Sequence, residues 1–86
     1  KAVVKRDGNE IFLSALEYRI LLILFQNKGM ILSREKLLEA IWDVAGDFVN
    51  DNTLTVYIKR LREKIEKEPA KPEIIKTIRG MGYGVF

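Results

Sequence analysis

The residues best able to make specific contacts in this chain are the amide, hydroxyl and cationic side chains at positions 52–62. Asparagine can bond the edge of adenine through both of its polar atoms, arginine and lysine can bond guanine, and threonine can bond base edges or phosphate. Catalytic chemistry has little support, because the 86 residues include no histidine and no cysteine. The commonest general base and metal ligand are therefore missing, together with any thiol nucleophile. We predict a binding protein with no enzymatic activity, no metal and no cofactor.

These contact residues lie on a segment whose apolar residues recur with helical spacing. At about 100° per residue, Leu54, Ile58, Leu61 and Ile65 fall in one narrow stripe, which we expect to face the core. The opposite side of the helix carries Asn52, Val56, Lys59, Arg60 and Glu63, and Thr53 lies at its edge. The flanks carry Tyr57, Arg62 and Lys64. The pattern predicts a helix that contacts base edges in the major groove of duplex DNA.

Val56 and Tyr57 each allow two interpretations. Val56 lies opposite the core stripe, where a thymine methyl group is a suitable partner, and its polar neighbours favour that contact. A single exposed valine is nevertheless common and needs no function. The ring of Tyr57 could pack at the edge of the core, or its hydroxyl could contact a phosphate, and the sequence favours neither.

The basic charge of the chain is concentrated in its last 35 residues. Residues 1–51 hold seven Lys/Arg and eight Asp/Glu, whereas residues 52–86 hold eight and four, so the net charges are −1 and +4. A localised positive field is what a phosphate-binding surface needs. Lysines on a helix can also serve only to keep the protein soluble, and charge alone does not distinguish this interpretation from phosphate binding.

Turn and cap signals divide the chain into a hairpin, three helices and a second hairpin. Asp7-Gly8 predicts the first turn, and Ser14 with Glu17 forms a capping box. Ser33 and Asp51 are expected N-caps. The predicted elements, in chain order, are strands Ala2–Lys5 and Glu10–Leu13, helices Ala15–Asn27, Arg34–Trp42 and Asn52–Lys67 with a loop Asp43–Asn50 before the last, and strands Ile74–Ile78 and Tyr83–Phe86.

We expect an α+β fold, a winged helix–turn–helix in one domain spanning residues 1–86. Its core is three helices, with Leu37, Leu38, Ile41 and Trp42 on the apolar side of the second. The C-terminal hairpin is the wing, and its tip carries Arg79 beside Gly80 and Gly82, which permit close approach. Arginine is a strong minor-groove ligand, so the wing predicts a second DNA contact. An ordinary glycine hairpin with a solvated arginine is the alternative.

Four sequence blocks resemble one known family. They are Leu13–Leu22, Leu32–Leu38 followed by Ile41-Trp42, Val56–Ile65, and Ile75–Tyr83. Together they cover nearly the whole chain and resemble the OmpR/PhoB-type winged-helix effector domains of bacterial two-component response regulators. The last two blocks are specific in combination, because a chance match to both at this spacing is very improbable.

The resemblance implies site residues at matching positions. It assigns base or backbone contacts on the third helix to Asn52, Thr53, Val56, Tyr57, Lys59, Arg60 and Arg62. Wing contacts fall on Thr77 and Arg79, while Trp42 and the loop Asp43–Asn50 match a region that meets phosphate or RNA polymerase. Two positions depart from the family pattern: Asn52 stands where arginine is frequent, and Gly84 stands where arginine or lysine is common. A different base preference at Asn52 and weaker backbone binding by the wing are therefore expected.

The resemblance also implies a larger, cytoplasmic protein. A receiver domain N-terminal to Lys1 would be phosphorylated by a sensor kinase, and phosphorylation would favour homodimers on direct repeats in promoter DNA. The N-terminal hairpin is then the remnant of a larger sheet. The longest apolar run, Ile20–Phe25, is too short for a membrane span, and Lys1–Arg6 lacks the apolar core of a signal peptide.

A protein-binding module is the competing hypothesis. It would use the loop Asp43–Asn50 or the exposed helix face to contact RNA polymerase or another protein without reading DNA sequence. The dependence of affinity on salt concentration distinguishes DNA binding from protein binding, since binding to several phosphates weakens steeply as the salt concentration rises.

Overall fold

A computed structural model describes residues 2–45 and 51–86 of the chain. The elements follow the predicted order, hairpin, three helices and hairpin. Their bounds are β1 Ala2–Arg6, β2 Asn9–Leu13, α1 Ala15–Gln26, α2 Arg34–Ala45, α3 Asp51–Ile65, β3 Lys76–Ile78 and β4 Gly82–Gly84. Within the described ranges, no helix combines the length and the apolar composition that crossing a membrane requires.

The N-terminal hairpin closes through a turn of two residues. Arg6 pairs with Asn9, and both Asp7 (φ 52°) and Gly8 (φ 83°) adopt the left-handed conformation. These angles match the turn type that follows the natural twist of a hairpin. Each strand therefore extends one residue further toward the turn than the sequence pattern predicted.

Helix α1 begins at the predicted capping box. The Ser14 hydroxyl accepts a hydrogen bond from the Glu17 backbone N–H (3.2 Å), and the Glu17 carboxylate accepts one from the Ser14 N–H (2.8 Å). The helix ends at Gln26, one residue earlier than predicted. Its inner side carries the buried Ile20, Leu21 and Leu24, whereas Leu22 is only partly buried.

Helix α2 is three residues longer than predicted. Its N-cap is Ser33, as expected, because the hydroxyl accepts from the Lys36 N–H (3.1 Å). The helix continues to Ala45, so the first three residues of the predicted loop Asp43–Asn50 are helical. No glycine or proline interrupts the chain before Gly46, which explains the extension. Residues 46–50 lie outside the described residues.

Trp42 does not belong to the core, contrary to its predicted place on the apolar side of α2. Half of its surface, 50%, is exposed, whereas Leu37 and Ile41 are fully buried. A large indole at the edge of this stripe reaches beyond the space that the neighbouring helices fill.

Helix α3 begins one residue earlier than predicted and ends two residues earlier. Asp51 is its first helical residue rather than its N-cap, and the preceding residue lies outside the described residues. The helix stops at Ile65, because Pro69 has no N–H to donate to the Ile65 carbonyl and its ring would clash with that group. The next side chain, Glu66, turns inward. Its buried carboxylate accepts hydrogen bonds from the backbone N–H groups of Glu73, Ile74 and Ile75, at 2.8–3.0 Å.

The wing strands are shorter than the predicted Ile74–Ile78 and Tyr83–Phe86. Ile74 and Ile75 are held by the Glu66 carboxylate, and the Val85 carbonyl accepts from the Gly29 N–H (2.8 Å) in the α1–α2 connection. Leu32 in the same connection exchanges two backbone hydrogen bonds with Tyr83 in β4. The wing is therefore fastened to the helical core along one edge.

One apolar core lies between the three helices. The stripe predicted for α3 faces it, since Leu54, Ile58 and Leu61 are at most 1% exposed and Ile65 is 5% exposed. The fully buried side chains are Ile20, Leu24, Leu37, Ile41, Leu54, Ile58, Leu61 and Ile75. Burial of this stripe fixes the rotation of α3 about its axis and so determines which residues face outward.

Candidate nucleic-acid interface

The outer face of α3 presents the side chains that the sequence assigned to base contacts. We call Asn52, Thr53, Val56, Lys59 and Arg60 the reading face. Four of them are exposed, and Thr53 is partly buried at the edge. Val56 exposes 44% of its surface, which leaves its methyl groups open to an apolar partner.

Tyr57 packs its ring against the core, one of its two predicted roles. The Arg60 guanidinium lies over the outer side of that ring, 5.1 Å from its centroid. This cation–π contact restrains an otherwise flexible side chain at the reading face. A phosphate contact by the Tyr57 hydroxyl stays a prediction.

Arg62 links α3 to the wing. Its guanidinium donates to the Thr77 hydroxyl (2.7 Å) and to the Ile75 carbonyl through two nitrogens (2.8 and 3.3 Å). Two residues predicted to contact DNA, Arg62 on α3 and Thr77 on the wing, are thus brought together. A phosphate placed beside them would meet a guanidinium that is already oriented.

A second arginine, Arg34, joins α2 to both α3 and the wing. One guanidinium nitrogen donates to the Tyr83 hydroxyl (2.8 Å) and the other to the Thr55 hydroxyl (2.8 Å). Sequence reasoning gave these three residues no part in the site. They are separated by 21 to 49 positions, so no local pattern connects them.

The wing tip projects exposed side chains from a tight turn. Arg79 is exposed, Met81 exposes 60% of its surface, and Gly80 adopts φ 76°. The Met81 N–H donates to the Ile78 carbonyl (2.9 Å), which closes the turn. This arrangement places an arginine and an apolar side chain at the outermost point of the wing.

Lys64, on the flank of α3, is neutralised by a buried acid. Its ammonium lies 2.6 Å from a Glu17 carboxylate oxygen and also donates to the Phe12 carbonyl (3.3 Å). Burial alone would raise the pKa of Glu17, but hydrogen bonds from Lys64 and Ser14 outweigh it, so this pKa lies below its ordinary value of 4.5. The positive outer field of α3 therefore comes mainly from Lys59, Arg60 and Arg62.

Comparison with known proteins identifies the domain type. Residues 8–85 match the family described as transcriptional regulatory protein, C terminal. The chain belongs to this family. The regulatory protein VanRc of Enterococcus gallinarum is 47% identical over 76 residues, which cover 88% of the chain and 32% of that protein. The chain thus spans about a third of the length of the curated relatives it matches.

Solved structures give the same result for this winged-helix output domain. The response regulator DrrB, an OmpR/PhoB homologue of Thermotoga maritima, has a TM-score of 0.81 at 44% identity, covering 91% of the chain and 35% of DrrB. The Klebsiella pneumoniae RstA DNA-binding domain in complex with the RstA box has a TM-score of 0.76 at 32% identity, covering 91% and 76%. The expected winged-helix fold is confirmed, and the domain is a DNA-binding transcriptional output domain of the OmpR/PhoB type.

Proposed function

We propose that this output domain binds promoter DNA with sequence specificity, placing α3 in the major groove. The observation that carries the proposal is the orientation of α3. Its core stripe is buried to 5% exposure or less, and the reading face lies on the opposite, exposed side. The RstA domain, which shares this fold, was solved with bound DNA.

Each contact residue has a role that follows from its chemistry and position. Asn52 pairs with adenine, Lys59 and Arg60 with guanine, and Val56 with a thymine methyl group. The remaining contacts are to backbone or minor groove, and we assign them to Thr53, Tyr57, Arg62, Thr77, Arg79 and Trp42. Of these, Arg79 enters the minor groove, where an exposed arginine is strongly attracted to the negative potential of narrow A·T-rich segments.

Selection of bound sequences from a random duplex library tests this proposal directly. The selected duplex and a scrambled duplex are then titrated at several salt concentrations. We expect tighter binding to the selected duplex and a steep fall of both affinities with salt, because several phosphates are neutralised. Failure to enrich any sequence, or no detectable binding even at low salt, would overturn the proposal.

We further infer the setting in which the domain acts. A receiver domain would precede Lys1, and its phosphorylation by a sensor kinase would promote homodimers on direct repeats, in the bacterial cytoplasm. Related proteins named as response regulators or sensory transduction proteins support this setting. The domain itself would have no catalytic activity.

RNA polymerase is a proposed protein partner. The contact would involve the connection at 43–50 together with Trp42, whose indole is half exposed at the neighbouring end of α2. Exposed aromatic side chains are enriched where proteins bind one another, which favours a protein contact here. In Trp42→Ala, a loss of transcription activation larger than the weakening of DNA binding accounts for would support this contact.

A further inference from the structure

The ring of Tyr83 in β4 contacts two guanidinium groups that come from different helices. Arg34 of α2 lies 5.9 Å from the ring centroid, and Arg62 of α3 lies 5.8 Å from it. We propose that Tyr83 is a positioning residue, which fixes the wing relative to α3 so that Arg79 reaches the minor groove while α3 occupies the major groove. This inference rests on the proposed DNA-binding function and specifies how its two contact elements are coupled.

The geometry makes Tyr83 the centre of a continuous link. Its side chain is only 7% exposed, and its hydroxyl accepts a hydrogen bond from Arg34 (2.8 Å). The same guanidinium donates to the Thr55 hydroxyl on α3 (2.8 Å). Arg62 reaches the other strand of the wing through Thr77 (2.7 Å). Both wing strands are therefore connected to α3 through guanidinium groups that contact the Tyr83 ring.

The wing depends on such links because it is small. Each strand has three residues, and an isolated two-stranded hairpin is at best marginally stable in water. The backbone pairing of Tyr83 with Leu32 fastens β4 to the α1–α2 connection rather than to α3. The Arg34–Tyr83–Arg62 link supplies a direct connection between the wing and α3.

Substitution of Tyr83 can test the position of the wing without removing a DNA contact, because its buried hydroxyl accepts its hydrogen bond from Arg34 inside the protein. Tyr83→Phe removes this acceptor and keeps the ring. Thr55→Val removes the other acceptor for Arg34 on α3, and so tests the same link from the other end. Tyr18→Phe is the matched control, since it removes an exposed tyrosine hydroxyl from α1.

The decisive experiment is a double-mutant cycle on the selected duplex. We expect Tyr83→Phe to weaken binding about threefold to tenfold, which lies within the net range for one intramolecular hydrogen bond. In an Arg79→Ala background the same substitution should have less than about a twofold effect, because the contact that it positions is already lost. Hydroxyl-radical protection of the minor groove beside the wing should weaken, while guanine N7 protection under α3 persists.

A second measurement uses the free protein. Amide hydrogen exchange at Met81 and Tyr83 should be about threefold to tenfold faster in Tyr83→Phe and in Thr55→Val, with the amides of α1 unchanged. Equal acceleration throughout the protein would indicate a general loss of stability and would overturn a positioning role. Additive effects of Tyr83→Phe and Arg79→Ala would overturn the coupling in the same way.

The outcomes separate this inference from the proposed function. If the native protein selects no DNA sequence, the proposed function fails and the inferred coupling to the minor groove fails with it. If the native protein binds DNA but Tyr83→Phe behaves like Tyr18→Phe in both measurements, the inference alone is wrong.

Discussion

At the scale of single residues, arginines of the same helix differ in what their guanidinium groups contact. Arg60 and Arg62 are two positions apart on α3, yet Arg60 lies exposed over the Tyr57 ring, whereas Arg62 is bonded to Ile75 and Thr77. The exposed one keeps its donors available for base edges. The bonded one uses part of its donors for the wing, which would orient it for the proposed backbone contact.

Substitution of Arg60 tests its assignment as a base-reading residue. Arg60→Ala should weaken binding to the selected duplex by about 1–3 kcal/mol, the usual value of a bidentate contact with guanine. Binding to a scrambled duplex should change much less, because base contacts contribute little there. Isothermal titrations on both duplexes give the two values. Equal losses on both would show that Arg60 holds a phosphate instead.

Glu17 gives a pH-dependent prediction for stability. Its pKa is lowered in the folded protein, so ionised Glu17 contributes stability that is fully present above its ordinary value of 4.5 and is lost as pH falls through the lower folded pKa. Glu17→Gln should therefore reduce the free energy of unfolding by about 1.5–3 kcal/mol at pH 7, the range for hydrogen bonds to charged groups. The deficit should shrink below about pH 4.

Urea unfolding between pH 7 and pH 3 measures this difference. Glu10→Gln is the control, because Glu10 is an exposed carboxylate on β2. A deficit that stays constant over the whole pH range would contradict the role of the Glu17 charge and would leave only the loss of the cap to explain it.

At the scale of elements, local signals predicted where helices and turns begin. The Ser14–Glu17 capping box, the Asp7-Gly8 turn and the apolar stripe of α3 each depend on residues within a few positions of one another, and each is present. The bounds that sequence reasoning misplaced depend on distant partners. Beyond the end of α3, the Glu66 carboxylate accepts hydrogen bonds from the backbone of residues 73–75, and β4 ends before Val85, which pairs with Gly29.

In the candidate site, too, local features followed from the sequence and contacts between distant residues did not. The reading face followed from helical spacing alone, because the core stripe fixes the rotation of α3. The links of Arg34 to Tyr83 and of Lys64 to Glu17 join residues 47 to 49 positions apart, which no periodicity encodes. Sequence reasoning therefore identified which residues face outward, but not what holds the wing against the helices.

The close approach of the wing to the α1–α2 connection predicts a strict requirement for Gly82. A Cβ atom at this position would overlap the Leu32 carbonyl oxygen, and the backbone has φ 147°. Gly82→Ala should therefore lower the free energy of unfolding by about 3 kcal/mol or more, since both strain and a backbone clash are introduced.

Gly80→Ala is the matched control for this change. Gly80 also has a positive φ, 76°, but a Cβ there meets nothing within 4 Å, so we expect only the left-handed penalty of about 1–2 kcal/mol. Urea unfolding gives both values. Similar losses for the two alanines would show that β4 can move away from Leu32 at little cost.

At the scale of the whole molecule, the excess of positive charge lies in the part of the chain that carries the reading face and the wing. The segment 52–86, with a net charge of +4, supplies the reading face and the wing, whereas the segment 1–51 has a net charge of −1. The N-terminal hairpin lies at the opposite end of α3 from Asn52, since Val4 and Lys5 line one groove with Ile65. Such a distribution orients the domain as it approaches a polyanion.

Two lysine substitutions that change the net charge equally test whether this placement matters. Lys59→Gln removes a positive charge from the reading face, and Lys5→Gln removes one from the N-terminal hairpin, and both side chains are exposed. Affinity for the selected duplex, measured at several salt concentrations, gives the slope of log K against log[salt]. We expect this slope to become shallower by up to about 1 in Lys59→Gln, because fewer counterions are released from the phosphates beside α3. Lys5→Gln should keep the native slope, and equal changes in both variants would show that net charge, rather than its position on the domain, governs binding.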